Sequence, residues 1–311
     1  MKKRAADNCG IVECHGGVLD GSCHEHMMRL CKLAGVGRFA GSLAALLMAL
    51  GWVAADVRAA ELHPNTVAAF ERYVRLTEAR MDGEMSGSGP FLWVDTLPES
   101  ERRQAYVRLR SGETIVNRLE TREGGRPIEM PGGMCHHWVG TMFARGARLD
   151  QVVRLMQAYD NYADVYRPAV RRSRTLSRAG DRFTAYLQLF MKKVIGVVLN
   201  TEYEAQYVPI LPGRMQVRSH TTRVAEVQRP DTPEEREKPE GRDNGFLWRL
   251  NNYCALDERD GGTYVQCESV SLSRDIPIGL SWLIGPFVTS VPRESLEFTL
   301  GAMRAAIAKE H

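Results

Sequence analysis

The sequence predicts an α+β fold in which helices frame a run of antiparallel strands and a final helix packs on the sheet. Three observations carry this. Strand-like segments follow one another from about residue 170 to 228 with no helix between them. A hairpin is centred on Asp260-Gly261, a pair suited to a two-residue turn that needs positive φ at both central positions. The chain then ends in a segment from Pro292 whose Leu296, Leu300, Met303 and Ile307 recur with helical spacing. The composition is globular: of 311 residues, 44% are hydrophobic, 25% charged and 8% aromatic, which excludes wholesale disorder and a polytopic membrane protein. With 41 basic and 38 acidic residues spread along the chain, no basic face for nucleic acid is expected.

At the N-terminus, Phe39–Val53 is free of charge and follows Arg29, Lys32 and Arg38. A spanning helix needs about 20 apolar residues, and Asp56 and Arg58 end this run early. It has the form of a signal peptide, with Val57 and Ala59 at the positions a signal peptidase reads. Cleavage near Ala59 and a soluble periplasmic or secreted product are therefore expected. Met27 or Met28 starts such a signal better than Met1, so residues 1–26 read as an upstream extension. Four cysteines there (Cys9, Cys14, Cys23 and Cys31) are irregularly spaced, and no metal site is expected from them. Residues 1–59 hold seven basic and five acidic residues, which leaves 34 against 33 in the mature chain. The expected organisation is an extension and signal over 1–59, an N-terminal helix and linker over 60–100, and one domain over 101–311.

Taking the elements in order, Pro64 opens an amphipathic helix over 64–81 with Val67, Phe70, Val74 and Leu76 on one side. GEMSGSGP (83–90) breaks it. QAYVRLRSG and ETIVNRLE are predicted as the arms of a hairpin turning at Ser111-Gly112. MCHHWVGTMFA (134–144) reads as a strand and 148–166 as a helix, with Leu149, Val152, Val153, Met156 and Tyr159 as its buried stripe. Pro168 stops that helix. RRSRTLSRAG, DRFTAYLQLF, KKVIGVVLNTEYEAQYV and GRMQVRSHTTRVAEVQ supply the meander. Residues 229–244 contain no large apolar residue and read as a solvated loop between strands.

Counting out from the Asp260-Gly261 turn pairs Arg259 with Gly262 and Cys254 with Cys267. That pair falls at a non-hydrogen-bonded position, whose Cβ separation of about 4.5–5.5 Å is slightly wide of the roughly 3.5–4.5 Å a disulfide prefers. An oxidising compartment permits a bridge; two small side chains packed side by side fit the spacing as well. The same alternation puts Phe246, Trp248, Leu250, Asn252 and Leu256 on one face opposite Val265, Ser269 and Ser271.

Three segments carry a family likeness: LMQAYDNYADVYRPAVRRSRTL, GFLWRLNNYCALDERDGGTYVQCESVSLSRDIP and VPRESLEFTLGAMRAAI. Over about residues 130–308 the sequence resembles the START-like, SRPBCC superfamily of lipid-transport and polyketide cyclase-like proteins. The resemblance implies a helix-grip fold, a curved antiparallel sheet wrapped around a long C-terminal helix with a largely apolar cavity between them. Independently of it, Trp248, Leu250 and Val265 could line a pocket while Asn252, Ser269 and Ser271 bond a head group. Equally, the apolar members could pack on the closing helix.

No catalytic residue is assigned. His136 and His137 are adjacent strand residues, so they point to opposite faces and cannot share a metal ion. One could face a cavity as an acid or base, or both could be packed. No phosphate loop, GxGxxG, HExxH or nucleophile elbow occurs. The expected function is binding or carriage of a lipid or other hydrophobic small molecule, without cofactor or nucleic acid and with transient membrane contact. The alternatives are an aromatase/cyclase-type enzyme and a structural or partner-binding module.

Overall fold

The computed structural model describes residues 61–85, 89–192, 196–275 and 281–309, with the side chains of residues 85 and 281–289 excepted. The signal-like segment, its cleavage point and the four N-terminal cysteines lie outside these residues. From Ala59 onward the chain is one compact unit. Among the described residues no helix is long and apolar enough to cross a membrane.

Helix α1 (Pro64–Met85) forms as its first-turn proline suggests. Its buried side is Thr66, Phe70, Tyr73, Thr77 and Met81; of the expected Val67, Phe70, Val74 and Leu76, Phe70 lies in it and Val74 packs partly buried against the same cluster. Two threonines sit in the stripe because their hydroxyls find partners: Thr77 Oγ1 donates to the Tyr73 carbonyl (2.9 Å) and Thr66 Oγ1 to that of Pro131. After a 3-10 turn (Trp93–Thr96), α2 (Glu99–Arg110) occupies most of the expected first hairpin arm. Glu99 and Glu101 favour the helix start and Arg108 and Arg110 its end. Ala105, Tyr106 and Leu109 share its buried side, while Val107, which suggested a strand, is 62% exposed.

The second arm survives as β1 (Ile115–Arg118). A small hairpin of β2 (Arg122–Glu123) and β3 (Arg126–Pro127) precedes β4 (Gly133–Arg145). Helix α3 (Leu149–Gln157) ends at Ala158, short of the expected 166, and a 3-10 turn leads to α4 (Tyr162–Val165). The break is held by Asp160, whose carboxylate accepts the Thr175 amide (2.8 Å) and hydroxyl (2.9 Å).

Then come β5 (Val170–Ala179), β6 (Arg182–Lys192), β7 (Gly196–Leu211), β8 (Arg214–Gln228), β9 (Arg236–Glu237), β10 (Arg249–Arg259), β11 (Gly262–Arg274) and α5 (Ser281–Lys309). Helix α5 begins well before the expected Pro292.

The main path of the sheet runs β1-β4-β11-β10-β8-β7-β6-β5, antiparallel throughout. Bulges near Thr175/Ser177, Glu202/Tyr203 and Pro209/Leu211 shift its register and bend the strands that carry them. One face packs on α3, α4 and α5 through a single large core that includes Leu296, Leu300, Met303 and Ile307, the stripe read from the sequence. A Cβ on Gly140 of β4 would lie 2.6 Å from Leu300, so α5 crosses the sheet where only glycine lets it approach. A curved antiparallel sheet with a C-terminal helix across its concave face is a helix-grip arrangement. The outer face carries α1, through Phe70, Tyr73, Trp248, Tyr253, Val270 and Leu272. The 3-10 turn and α2 pack there too, through Val94, Leu109, Phe143 and Tyr264.

Residues 229–244 are not a free excursion. Asp231 and Glu235 pair with Arg171 and Arg172, and Glu237 with Arg223 and Asn200. The nearly buried Glu226 accepts Lys238 Nζ (2.6 Å) and the Asn244 amide (2.7 Å). Apolar burial does not hold this loop; charge pairing does, and its composition conceals that.

Candidate functional site

The β10–β11 hairpin pairs as its turn requires, Arg259 with Gly262 and outward to Arg249 with Leu272. Cys254 lies opposite Cys267, and the two are joined by a disulfide on the concave face. Cys135 is a free cysteine, and burial pushes its thiol up to about 12, which keeps it protonated and unreactive.

One step along the strands from the bridge, a cross-strand row runs Trp138, Ser269, Asn252, Ser219 over β4, β11, β10 and β8. Directly opposite residues share a face, so all four lie on the concave side. All four are half-buried. The next row holds His136, Ser271 and Leu250. Among the described residues, the side chains of Ser219, Asn252, Ser269 and Ser271 have no hydrogen-bond partner. Half-buried hydroxyls and an amide, set among apolar neighbours without partners, form a place where a ligand's polar end can bond.

Of the residues singled out from sequence, Leu250, Asn252, Ser269 and Ser271 come together here. Val265 shares the face but is wholly buried in the core beneath the helices. Trp248 does not belong to the face. It precedes the first residue of β10 and is buried in the cluster under α1. The chain turns at Gly245 (φ 70°), and Asp243 Oδ1 accepts both the Gly245 amide (2.6 Å) and the Trp248 indole (3.1 Å). Trp138 and Ser219 were missed because nothing local says which strands flank the hairpin.

The two histidines separate as strand alternation requires. His136 is on the concave side, 8% exposed, with Nε2 3.0 Å from Ser273 Oγ. Burial first, and then the Arg118 charge, lower it to about 4, so it is neutral at ordinary pH. The Ser273 hydroxyl donates to the Arg274 carbonyl (3.2 Å), which leaves its oxygen to accept from His136 Nε2–H. That polarity does not activate a nucleophile.

His137 faces outward into a closed network. The Thr121 amide donates to Tyr73 Oη (2.7 Å), and the Tyr73 proton is left for His137 Nδ1 (2.8 Å). His137 Nε2–H then donates to Glu268 Oε1 (2.6 Å), which also pairs with Arg80. Every member is satisfied, and Glu268 and His137 are almost wholly buried; the network pins α1 to the sheet. Among the described residues no group of His, Cys, Asp and Glu has the arrangement of a metal site.

A cleft of about 570 Å³ opens at the hairpin-tip end, between the start of α3 and Gly213 and Glu258. Its floor of Leu149, Val153 and Met215 packs on the concave core. The 229–244 loop is at the opposite end of β8.

No family model matches the chain, and no curated protein matches it. Solved structures similar to it include the STAR-related lipid transfer protein from Xanthomonas axonopodis, 18% identical, covering 62% of this chain and 98% of that one, TM-score 0.40. The Zhui aromatase/cyclase from Streptomyces sp. R1128 is 11% identical, covering 57% and 96%, TM-score 0.40. Human STARD10 is 9% identical, covering 69% and 84%, TM-score 0.38. The helix-grip assignment of this chain rests on its own strand order and on the helix packed across the sheet.

Proposed function

We propose that the protein is an exported, non-catalytic carrier that holds a lipid or other hydrophobic small molecule against the concave face of its sheet. The observation that carries this reading is the half-buried row Ser219, Asn252, Ser269 with the buried Ser271 beside it, whose side chains have no hydrogen-bond partner among the described residues. These side chains remain within reach of water, and a ligand head group that supplies the same bonds takes the place of that water, while its apolar body is covered by the surrounding core. Export is supported by the charge-free Phe39–Val53 run and the small residues up to Ala59.

Native mass spectrometry of protein isolated from its own cells tests the reading. A co-purifying hydrophobic molecule on a chain beginning near Ala60 is expected. A protein that carries no such molecule and binds no hydrophobic probe rejects the carrier, and a product retaining Met1 rejects export.

A further inference from the structure

The polar row does not stop at Trp138. Strand β1 pairs Arg118 with Trp138, which extends the row to Arg118, Trp138, Ser269, Asn252, Ser219 across five strands. Its neighbour by alternation, Val116, is partly buried in the concave core, whereas Ile115 belongs to the outer cluster, so the facing of β1 is fixed independently at both positions. Arg118 is exposed at the open end of this row.

Among the described residues no carboxylate pairs with Arg118; Glu120, two residues on in sequence, pairs with Arg122. His136 lies on the same face, and after burial the Arg118 charge is the second cause that keeps it neutral. The row therefore presents one guanidinium, one indole and three neutral hydrogen-bonding side chains.

We infer that the ligand is an amphiphile with an acidic head group, a carboxylate or a phosphate, and that Arg118 is the residue that reads it. The inference rests on the carrier reading and names the ligand class for that same site. Strands lie about 4.8 Å apart, so a head group lying across Trp138 bridges Arg118 and Ser269. A guanidinium meets either oxyanion through two parallel N–H donors. A neutral ester or alcohol offers no charge for it to meet.

The test is displacement of the uncharged dye Nile red from the mature protein by decanoate, decyl phosphate and methyl decanoate. At low salt the acids are expected to bind about ten-fold more tightly than the ester; the tighter acid names the source of the head group. Arg118→Gln should abolish that preference and leave methyl decanoate binding unchanged, and Arg118→Lys should keep part of it. Equal binding of acid and ester by the unaltered protein, or a preference that persists in Arg118→Gln, overturns the inference and leaves the carrier intact. Failure of the unaltered protein to bind Nile red or any of the three overturns both.

Discussion

The two faces of the sheet place their polar side chains differently. On the outer face, Tyr73, His137, Glu268 and Arg80 form a chain in which each donor has an acceptor, and Asp257 is paired with both Arg214 and Arg259. On the concave face, Ser219, Asn252, Ser269 and Ser271 stand without partners among the described residues. Polar groups buried by folding alone are satisfied, because leaving them unmade is costly. A run of polar side chains at partial burial, without a partner among the described residues, leaves its hydrogen bonds to water or to a bound molecule. The contrast separates the face that holds α1 from the face on which we propose that a ligand rests.

The largest effect that can break this comparison lies on the outer face. Glu268→Ala removes the acceptor shared by His137 and Arg80, and breaking a buried pair by deleting one partner costs about 3 kcal/mol. Denaturant unfolding should register that loss while hydrophobic-probe affinity stays unchanged. A loss of affinity without loss of stability would show that the outer network belongs to the site.

A smaller effect follows from His136. Its folded pKa of about 4 lies below the ordinary histidine value, so between roughly pH 6.5 and 4 the unfolded chain binds a proton that the folded one refuses. Stability falls as pH drops through that window, by at most about 1.4 kcal/mol per pH unit from this group, and the contribution levels off near the folded value. His136→Asn should flatten that part of the stability profile; an unchanged profile refutes the burial argument.

The smallest effect on stability sharpens the comparison most. Asn252→Leu deletes an amide that bonds nothing among the described residues, so unfolding should shift by less than about 1 kcal/mol. Affinity for a head-group-bearing ligand should nevertheless fall about ten-fold. A large stability loss would place Asn252 with the outer network's kind of polarity.

Much of the fold was legible because its signals are local. The Asp260-Gly261 turn dictates the register down to Cys254 opposite Cys267, and a period near 3.6 marks Leu296, Leu300, Met303 and Ile307. Misreadings arose where a local signal was ambiguous. The segment around Tyr106 and Val107 contains apolar residues that suit a strand, yet its charges favour a helix and α2 is what forms. Residues 229–244 do form a largely exposed loop between strands, as read; what the composition did not disclose is that arginines and an asparagine elsewhere in the chain hold their carboxylates.

By itself the sequence determined the strand meander, the hairpin register, the buried stripe of the closing helix and the separation of His136 from His137 onto opposite faces. All of these follow from backbone geometry within a few residues. Only the tertiary structure decided that Trp248 leaves the face of Leu250 for the cluster under α1, that Val265 is core, and that Trp138, Ser219 and Arg118 join the row. Alternation assigns residues to the same or opposite faces of one strand, but which strands lie side by side, and which face the helix covers, is settled by packing between segments that are 20 residues apart at Arg118 and Trp138 and 131 apart at Trp138 and Ser269.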